Sequence, residues 1–300
     1  RPPPRGRLRV HVVTDLRPRR SVLYMPAANQ RALEKAKTLP ADAIIFDLED
    51  AVAPDAKDSA RVAACEAAAS GEYGRRELTI RCNGLDTPWG AADLAAIASS
   101  SAAAVVVPKV GSVAYLDDIA GRLDDAGAPP EMNVWAMVET PTAIFDCRAI
   151  AAHPRVSVLV MGTNDLAREL RAPLSAGRRA LLSHLATAIL AAREAGKVIL
   201  DGVFNDVSDL DGFTDECRQG VELGFDGKTL IHPAQIDIAN AAWSPSADEV
   251  EHARRIIAAF ETAVADGRGV VTVDGRMIEN LHVANAQRTL AVADAVADLP

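Results

Sequence analysis

Hydrophobic and polar positions alternate in blocks along most of the chain. Short runs that are apolar throughout are separated by Ala-rich stretches in which apolar residues recur every three or four positions. Short, wholly apolar runs are typical of strands buried on both faces of a parallel sheet. The predicted strands are Ser21–Tyr24, Ala43–Asp47, Leu78–Arg81, Ala104–Val107, Val134–Val138, Val156–Met161, Val198–Asp201 and Gly224–Leu230.

The stretches between these runs have the 3.6-residue period of helices. Several begin at a residue that caps helices well, such as Asn29, Ser112 or Ser208. Eight β/α units in series predict a (β/α)8 TIM barrel. A doubly wound sheet is the alternative, but it usually has fewer units and a Gly-rich first turn, and no GxGxxG motif occurs in this chain. The predicted helices are Asn29–Thr38, Lys57–Ser70, Trp89–Ser99, Val113–Ala126, Thr142–Ala152, Leu181–Ala195 and Asp209–Glu222.

Beyond the eighth unit the sequence predicts a C-terminal helical extension that a barrel does not need in order to close. Its predicted parts are a helix at Ala247–Ala265, a short β run within Gly267–Gly275 and a helix at Met277–Ala297. We interpret the extension as a lid or an oligomer arm. The expected organisation is a disordered basic leader at 1–19, a catalytic barrel at 20–245 and the extension at 246–300.

Charge distinguishes the amino end from the rest of the chain. The first twenty residues carry seven Arg and one Asp, although the formal net charge of the whole chain is −9. This segment is interpreted as a disordered leader, with a targeting presequence as the alternative. The acidic remainder argues against nonspecific nucleic-acid binding. The apolar runs are far shorter than the roughly 20 residues of a membrane span, so we expect no membrane partner.

Cysteine and histidine usage adds two expectations. Cys65, Cys82, Cys147 and Cys217 form no CxxC pair, so we interpret them as reduced thiols of a cytoplasmic protein. The histidines do not form a cluster with the spacing of a zinc site. Zinc is therefore not expected.

Polar residues gather where the predicted strands end, which is the position of TIM-barrel active sites. Glu139 and Asp165 follow neighbouring strands, and Mg²⁺ needs only one or two carboxylates besides water and substrate. This pair is the predicted metal site. Glu49 and Asp50 could bind metal-bound water or orient Arg81, whose guanidinium suits a carboxylate or an enolate oxygen. The alternative is a set of structural ion pairs at the barrel mouth.

Seven longer motifs resemble the HpcH/HpaI aldolase and citrate lyase β-subunit superfamily, and within it the CitE-like and malyl-CoA lyase enzymes. They follow one another from Arg20 onward over nearly the whole chain. The resemblance implies a TIM barrel and a Mg²⁺-dependent reaction on a β-hydroxyacyl-CoA thioester. The motifs are RSVLYMPA (20–27), IIFDLEDAVAPDAKDSAR (44–61), RCNG (81–84), PKV (108–110), VETPTAI (138–144), GTNDLA (162–167) and GFDGKTLIHPAQI (224–236).

The resemblance also implies roles for the strand-end residues. It assigns Mg²⁺ to Glu139 and Asp165, the pair already chosen from their positions. It assigns the substrate carboxylate or enolate to Arg81. It places Glu49 and Asp50 beside the metal.

Contacts with CoA and with other subunits are implied by the resemblance alone. In this family CoA lies along the barrel rim, which makes Arg20, Lys35, Lys57 and Lys228 the CoA-binding candidates. A C-terminal DGxMID motif places an acidic residue over a neighbouring subunit's active site. This chain reads DGRMIE there, so Glu279 stands where the family has Asp. A homotrimer or homohexamer is implied.

The leading functional interpretation is reversible carbon–carbon cleavage of a malyl-CoA-like thioester to acetyl-CoA and an oxo acid such as glyoxylate. Arg81 would stabilise the enolate, and Glu279 would protonate it. Because Glu279 is one methylene longer than the family's Asp, hydrolysis to malate and CoA by a malyl-CoA thioesterase is the main alternative. A citrate-lyase-type subunit of a larger complex is the third. Malyl, methylmalyl and citramalyl groups differ by a methyl, which such pockets discriminate weakly.

Overall fold

Eight parallel strands form a closed barrel in which each strand pairs with the next along the chain and the last pairs with the first. The computed structural model describes residues 16–299. The predicted (β/α)8 barrel is confirmed. Its strands are β1 Ser21–Pro26, β2 Ala43–Asp47, β3 Glu77–Arg81, β4 Ala104–Val107, β5 Asn133–Val138, β6 Val156–Met161, β7 Val198–Asp201 and β8 Gly227–Leu230.

Helices connect the barrel strands, and the seven predicted ones are present with small shifts at their ends. Two further short helices, α6 Thr163–Glu169 and α9 Ile236–Ala242, were not predicted. The helices are α1 Gln30–Ala36, α2 Lys57–Ala69, α3 Gly90–Ala98, α4 Val113–Asp125, α5 Pro141–Ala152, α6 Thr163–Glu169, α7 Leu182–Glu194, α8 Leu210–Leu223 and α9 Ile236–Ala242.

Alternation along each strand explains why the strand sequences are apolar throughout. On β2, Ala43 and Ile45 belong to a core cluster made of strand residues, which fills the barrel. Ile44 and Phe46 belong to the larger cluster shared with the helices. Because side chains alternate with a period of two, Asp47 is the next inward position after Ile45. The pattern that buries the strand thus also directs its last polar residue to the barrel mouth.

The ends of α8 differ from the sequence-based expectation. Asp209, and not Ser208, caps the helix, because its carboxylate accepts a hydrogen bond from the N–H of Gly212. Gly224 ends the helix in the left-handed conformation, with φ of 100°, which glycine adopts without steric cost. For this reason β8 begins at Gly227 rather than at Gly224. The caps predicted at Asn29 and Ser112 are confirmed.

Residues 244–299 belong to a second compact unit, and Arg19–Trp243 form the first. The second unit contains α10 Ala247–Ala265, β9 Val271–Val273, β10 Arg276–Ile278 and α11 Asn280–Ala297. The strands β9 and β10 form an antiparallel hairpin whose turn residues, Asp274 and Gly275, both have positive φ. Such turns favour Asp-Gly. The helix expected from Met277 therefore begins only at Asn280, after the hairpin.

Three further expectations concern the chain as a whole. Within residues 16–299, none of the helices is long and apolar enough for a membrane crossing. Cys65, Cys82, Cys147 and Cys217 are free thiols, as expected. Residues 1–15 of the predicted leader lie outside the described part of the chain.

Candidate active site

A cavity of about 290 Å³ lies at the carboxyl ends of the barrel strands. It brings together four of the predicted site residues, which come from three different strand ends and from the start of α6. The cavity is lined by Tyr24, Asp47, Asp50, Ala51, Arg81, Met137, Glu139, Met161, Gly162, Thr163, Asn164, Asp165, Val203, Thr229 and Ile231. The predicted residues among them are Asp50, Arg81, Glu139 and Asp165.

Glu139 directly follows β5 and is almost completely buried. Its Oε1 accepts a hydrogen bond of 2.7 Å from the backbone N–H of Lys109. Burial, together with the charges of Glu49 and Asp165, raises the pKa of Glu139 to about 7, although the Lys109 N–H and Arg81 lower it. An ionised Glu139 is therefore costly near neutral pH unless a cation accompanies it. This environment suits a carboxylate that holds a metal ion.

Asp165 lies in the first turn of α6, directly after the strand that neighbours β5. Its Oδ1 lies 2.6 Å from Nη2 of Arg168, which is largely exposed. The turn that leads into α6 passes close to Glu139, since a Cβ added at Gly162 would lie 2.2 Å from Glu139 Oε2. Only glycine fits there, so the sequence Gly162–Asp165 places the second carboxylate next to the first.

The donor set fits Mg²⁺ rather than a metal enclosed by protein. Within residues 16–299, no cluster of three or more His, Cys, Asp or Glu side chains could hold a metal ion on its own. Mg²⁺ is usually held by one or two carboxylates and completes its shell with water and substrate. Glu139 and Asp165 provide this number. In addition, the buried Oε2 of Glu49 accepts no well-directed hydrogen bond, although Arg81 Nη1 lies 2.8 Å away.

Asp47 is the principal partner of Arg81 and was not among the predicted site residues. The two residues are register partners on β2 and β3. Arg81 Nε and Nη2 donate to the two Asp47 oxygens at 2.6 and 2.7 Å. Burial raises the pKa of Asp47, but Arg81 and the backbone N–H groups of Glu49 and Ala51 outweigh it, so the pKa lies below its usual value. One feature of the sequence could have identified Asp47. It follows Ala43 and Ile45 at every second position of β2, so its side chain is expected to face the inside of the barrel.

The remaining edge of Arg81 faces two acidic side chains. Nη1 lies 2.8 Å from Glu49 Oε2 and 3.5 Å from Asp50 Oδ2. The guanidinium carbon also lies 4.9 Å from the centre of the Tyr24 ring, a cation–π contact. Burial raises the pKa of the Tyr24 phenol, so this ring stays neutral. Glu49 and Asp50 thus lie beside Arg81, which fits the predicted alternative that they orient its guanidinium.

Two of the predicted CoA-binding lysines are interior residues instead. Lys57 is buried, and its ammonium donates to the carbonyls of Leu48 and Glu49 and to Asn83 Oδ1, at 2.6 to 2.7 Å. Lys228 is completely buried and lies 2.9 Å from Asp201. Lys228 also donates to Gly202 O and to Glu216 Oε1. Both ammonium groups are used within the fold, and neither lines the cavity.

Arg20 and Lys35 are also absent from the cavity lining, and Glu279 belongs to the second unit. Arg20 precedes β1, at the amino end of the barrel, and forms a 2.8 Å ion pair with Asp42. Lys35 is exposed in the last turn of α1. Glu279 is exposed at the amino end of α11, where its backbone N–H donates to Nδ1 of His282. The structure therefore does not bring Arg20 or Lys35 to the carboxylates of the cavity.

Known proteins resemble the chain in sequence and in structure. Residues 20–233 match the HpcH/HpaI aldolase/citrate lyase family, and residues 175–296 match C–C bond lyases of the TIM-barrel fold. A (3S)-malyl-CoA thioesterase from Cereibacter sphaeroides is 51% identical over 280 residues, which cover 93% of this chain and 96% of that protein. The citrate lyase subunit beta of Escherichia coli K12 is 36% identical, over 93% of this chain and 94% of that protein.

Solved structures agree with these relatives. CitE from Mycobacterium tuberculosis, in complex with magnesium, acetoacetate and coenzyme A, superposes with a TM-score of 0.76 at 30% identity. The match covers 91% of this chain and 97% of that one. The expected resemblance is confirmed by the barrel and by the extent of these matches. The chain is an enzyme of the HpcH/HpaI aldolase/citrate lyase family.

Proposed function

We propose that this enzyme hydrolyses the thioester of a malyl-CoA-type substrate, releasing free CoA and a hydroxydicarboxylate such as malate. The observation that carries the proposal is the grouping, in one cavity, of Glu139 and Asp165 with the fixed guanidinium of Arg81. The 51% identical malyl-CoA thioesterase supports hydrolysis over cleavage. The carbon–carbon cleavage preferred from the sequence is the second candidate, supported by the C–C bond lyase match over residues 175–296.

Glu139 and Asp165 are the residues that would hold Mg²⁺ in this proposal. The relative CitE has been solved with magnesium, and the burial of Glu139 favours a bound cation because it disfavours an isolated negative charge. When bound, the ion supplies Lewis-acid polarisation of substrate oxygens. We propose that Glu49, whose buried Oε2 accepts no well-directed hydrogen bond, orients Arg81, from which it lies 2.8 Å.

Arg81 is proposed to bind the oxygen that becomes negative during the reaction. Asp47 holds one edge of the guanidinium through two short hydrogen bonds, so the group is oriented before substrate arrives. Asp50 is the most weakly placed partner, at 3.5 Å and largely exposed. A substrate oxygen can therefore take the place of Asp50 at Nη1. A preorganised donor of this kind stabilises an oxyanion without reorganisation during the reaction.

Hydrolysis needs a group that moves one proton. Water oxygen adds to the thioester carbonyl carbon, the C–S bond breaks, and a proton ends on the sulfur of CoA. We retain Glu279 as the proposed acid–base group, because its carboxylate is exposed and a general base must reach its proton directly or through one water. The extension that carries Glu279 would act as a lid or as an oligomer arm. We propose a homotrimer or homohexamer, and light scattering would measure the number of subunits.

The test is product analysis of malyl-CoA and Mg²⁺ incubated with the purified protein in ¹⁸O-labelled water. Hydrolysis predicts malate with one ¹⁸O atom in its newly formed carboxylate and an equal amount of free CoA thiol. Acetyl-CoA and glyoxylate without labelled malate would establish carbon–carbon cleavage instead. If neither set of products forms and CoA does not bind, the protein does not act as a stand-alone enzyme, and a subunit role becomes the better explanation.

A further inference from the structure

Lys109 has a strained backbone at the mouth of the barrel. It follows β4 and has φ of 51°, a left-handed conformation that costs a residue with a side chain roughly 1–2 kcal/mol. Such strain persists where the surroundings enforce it, and it is concentrated at functional sites. At Lys109 the conformation directs the backbone N–H to Oε1 of Glu139, at 2.7 Å. The backbone of Lys109 thus holds Glu139, a proposed metal ligand, in place.

The side chain of Lys109 fixes a second carboxylate. Its Nζ lies 2.6 Å from Oε1 of Glu49, and the other Glu49 oxygen lies 2.8 Å from Nη1 of Arg81. Glu49 is therefore held between two cations, one on each oxygen. The resulting series of contacts runs from Glu139 through Lys109 and Glu49 to Arg81. It connects the proposed metal site with the proposed oxyanion site.

Lys109 does not line the cavity, so it acts on the reaction through other residues. Its ammonium is partly exposed, whereas Glu49 is largely buried. Without the ammonium, Glu49 would lose one of its two anchors. The carboxylate could then rotate away from Arg81 Nη1 or bring its charge against Glu139. Either change would disturb groups that must be oriented to within a fraction of an ångström.

We propose that Lys109 is a positioning residue for the hydrolysis proposed above. Its backbone N–H sets the Glu139 carboxylate, and its ammonium holds Glu49 against Arg81. This inference rests on the proposed function for its kinetic consequence but not for its structural one. The arrangement of Glu49 can be examined in protein without metal or substrate.

The test compares Lys109→Gly with Lys109→Arg and with a matched control, Arg171→Gly. Glycine accepts the left-handed conformation and keeps the backbone N–H, so Lys109→Gly removes the side chain with its ammonium and relieves the backbone strain. Arg171 is also left-handed, with φ of 54°, and is exposed after α6, outside the cavity lining. Arg171→Gly therefore also removes a cationic side chain and relieves a left-handed backbone, but at a position outside the proposed site. All three proteins are compared with the wild type in kcat, KM and Tm.

We expect Lys109→Gly to keep KM and to match the wild type or exceed it in Tm, because strain is relieved. Its kcat should fall roughly 10- to 100-fold, the usual effect of removing a residue that orients a site. Lys109→Arg should restore most of the lost kcat. Arg171→Gly should keep the wild-type kcat.

Crystal structures of the metal-free wild type and Lys109→Gly complete the test. We expect Glu49 to contact Arg81 in the wild type and to leave it in the glycine variant. An unmoved Glu49, a kcat for Lys109→Gly equal to that of Arg171→Gly, or no recovery in Lys109→Arg would each overturn the positioning role. If the wild type releases no CoA from malyl-CoA, the proposed function is wrong, and the position of Glu49 in the glycine variant still decides the role of Lys109.

Discussion

Gly162 is the position where the smallest added group should disturb the proposed metal site most. A Cβ built there would lie 2.2 Å from Oε2 and 2.4 Å from Cβ of Glu139. Nonbonded heavy atoms are normally about 3.5 Å or more apart. Gly162→Ala therefore requires Glu139, or the turn before α6 that carries Asp165, to move by about 1 Å. Because Glu139 is almost completely buried, its side chain cannot simply swing into solvent to make room for the added methyl group.

The expected effect on activity is larger than the effect on stability. Overpacking a filled site costs about 1–3 kcal/mol, which lowers the free energy of unfolding but leaves a domain of this size folded. A displacement of about 1 Å in a catalytic group can reduce kcat about 100-fold. We therefore expect Gly162→Ala to be folded, moderately less stable and nearly inactive. Urea unfolding gives the first quantity, and the rate of CoA release at saturating Mg²⁺ gives the second.

Gly111→Ala is the matched control for this prediction. Gly111 lies two residues beyond Lys109, but the atoms nearest to an added Cβ are Cγ2 of Thr142 at 3.8 Å and the carbonyl oxygen of Lys109 at 4.0 Å. The same chemical change there meets ordinary contacts and should preserve kcat. If Gly162→Ala were as active as Gly111→Ala, the chemistry would not depend on the position of Glu139.

Three other changes test separate parts of the site and fold. Asp47→Asn removes the main ionic partner of Arg81 and should lower kcat roughly 10- to 100-fold, measured as CoA release. Lys228→Met leaves Asp201 buried beside Glu216 without their shared ammonium and should cost about 3–5 kcal/mol in urea unfolding. Burial raises the pKa of Asp201, but its cationic neighbours, Lys228 first, hold it below its usual value. This contribution to stability is therefore present above the unfolded pKa of about 3.9 and is lost as pH falls through the lower folded pKa, so the two proteins should converge in stability in acid. EDTA should abolish CoA release and added Mg²⁺ should restore it, whereas activity that persists in EDTA would exclude the metal site.

The barrel and part of its site could be predicted because both follow from local periodicity. Runs that are apolar at every position identify strands buried on both faces, and the carboxyl ends of those strands meet at one mouth. Glu139 follows such a run directly, and its place beside the cavity needs no further information. Asp47 was also within reach of this reasoning. It continues the inward-facing period of Ala43 and Ile45 on β2, whereas the predicted residues Glu49 and Asp50 lie in the loop that follows this strand.

The lysines show where the sequence is not sufficient. Lys57 and Lys228 lie in motifs that suggest contacts with an anionic ligand, yet each ammonium is buried among oxygen acceptors. For each lysine, one side-chain acceptor lies on a neighbouring strand or directly after it, far away in the sequence. Asn83 is 26 residues from Lys57, and Asp201 is 27 residues from Lys228. The periodicity of the sequence and the spacing of its motifs do not indicate such contacts, because they form only when the barrel strands come together.

The left-handed backbone conformation of Lys109 could not be predicted from the sequence either. Glycine and asparagine signal such a conformation in a sequence, but lysine does not. The early start expected for α11 has a related cause. Met277 and Ile278 are apolar and fit a helical pattern, but the Asp274–Gly275 turn pairs them with β9 instead. In both cases, contacts with distant residues or the geometry of a turn outweighed the local preference of the sequence.

The rate of CoA release from malyl-CoA by Glu139→Gln, measured across a Mg²⁺ titration, tests the central claim most directly. Glutamine keeps the shape of the side chain and one carbonyl oxygen to accept the Lys109 N–H, but it carries no negative charge for the metal. If Glu139 holds the ion on which the chemistry depends, the variant should fold like the wild type, lose about 100-fold or more in rate and need far more Mg²⁺. A variant that reaches the wild-type rate at the wild-type Mg²⁺ concentration would contradict the assignment.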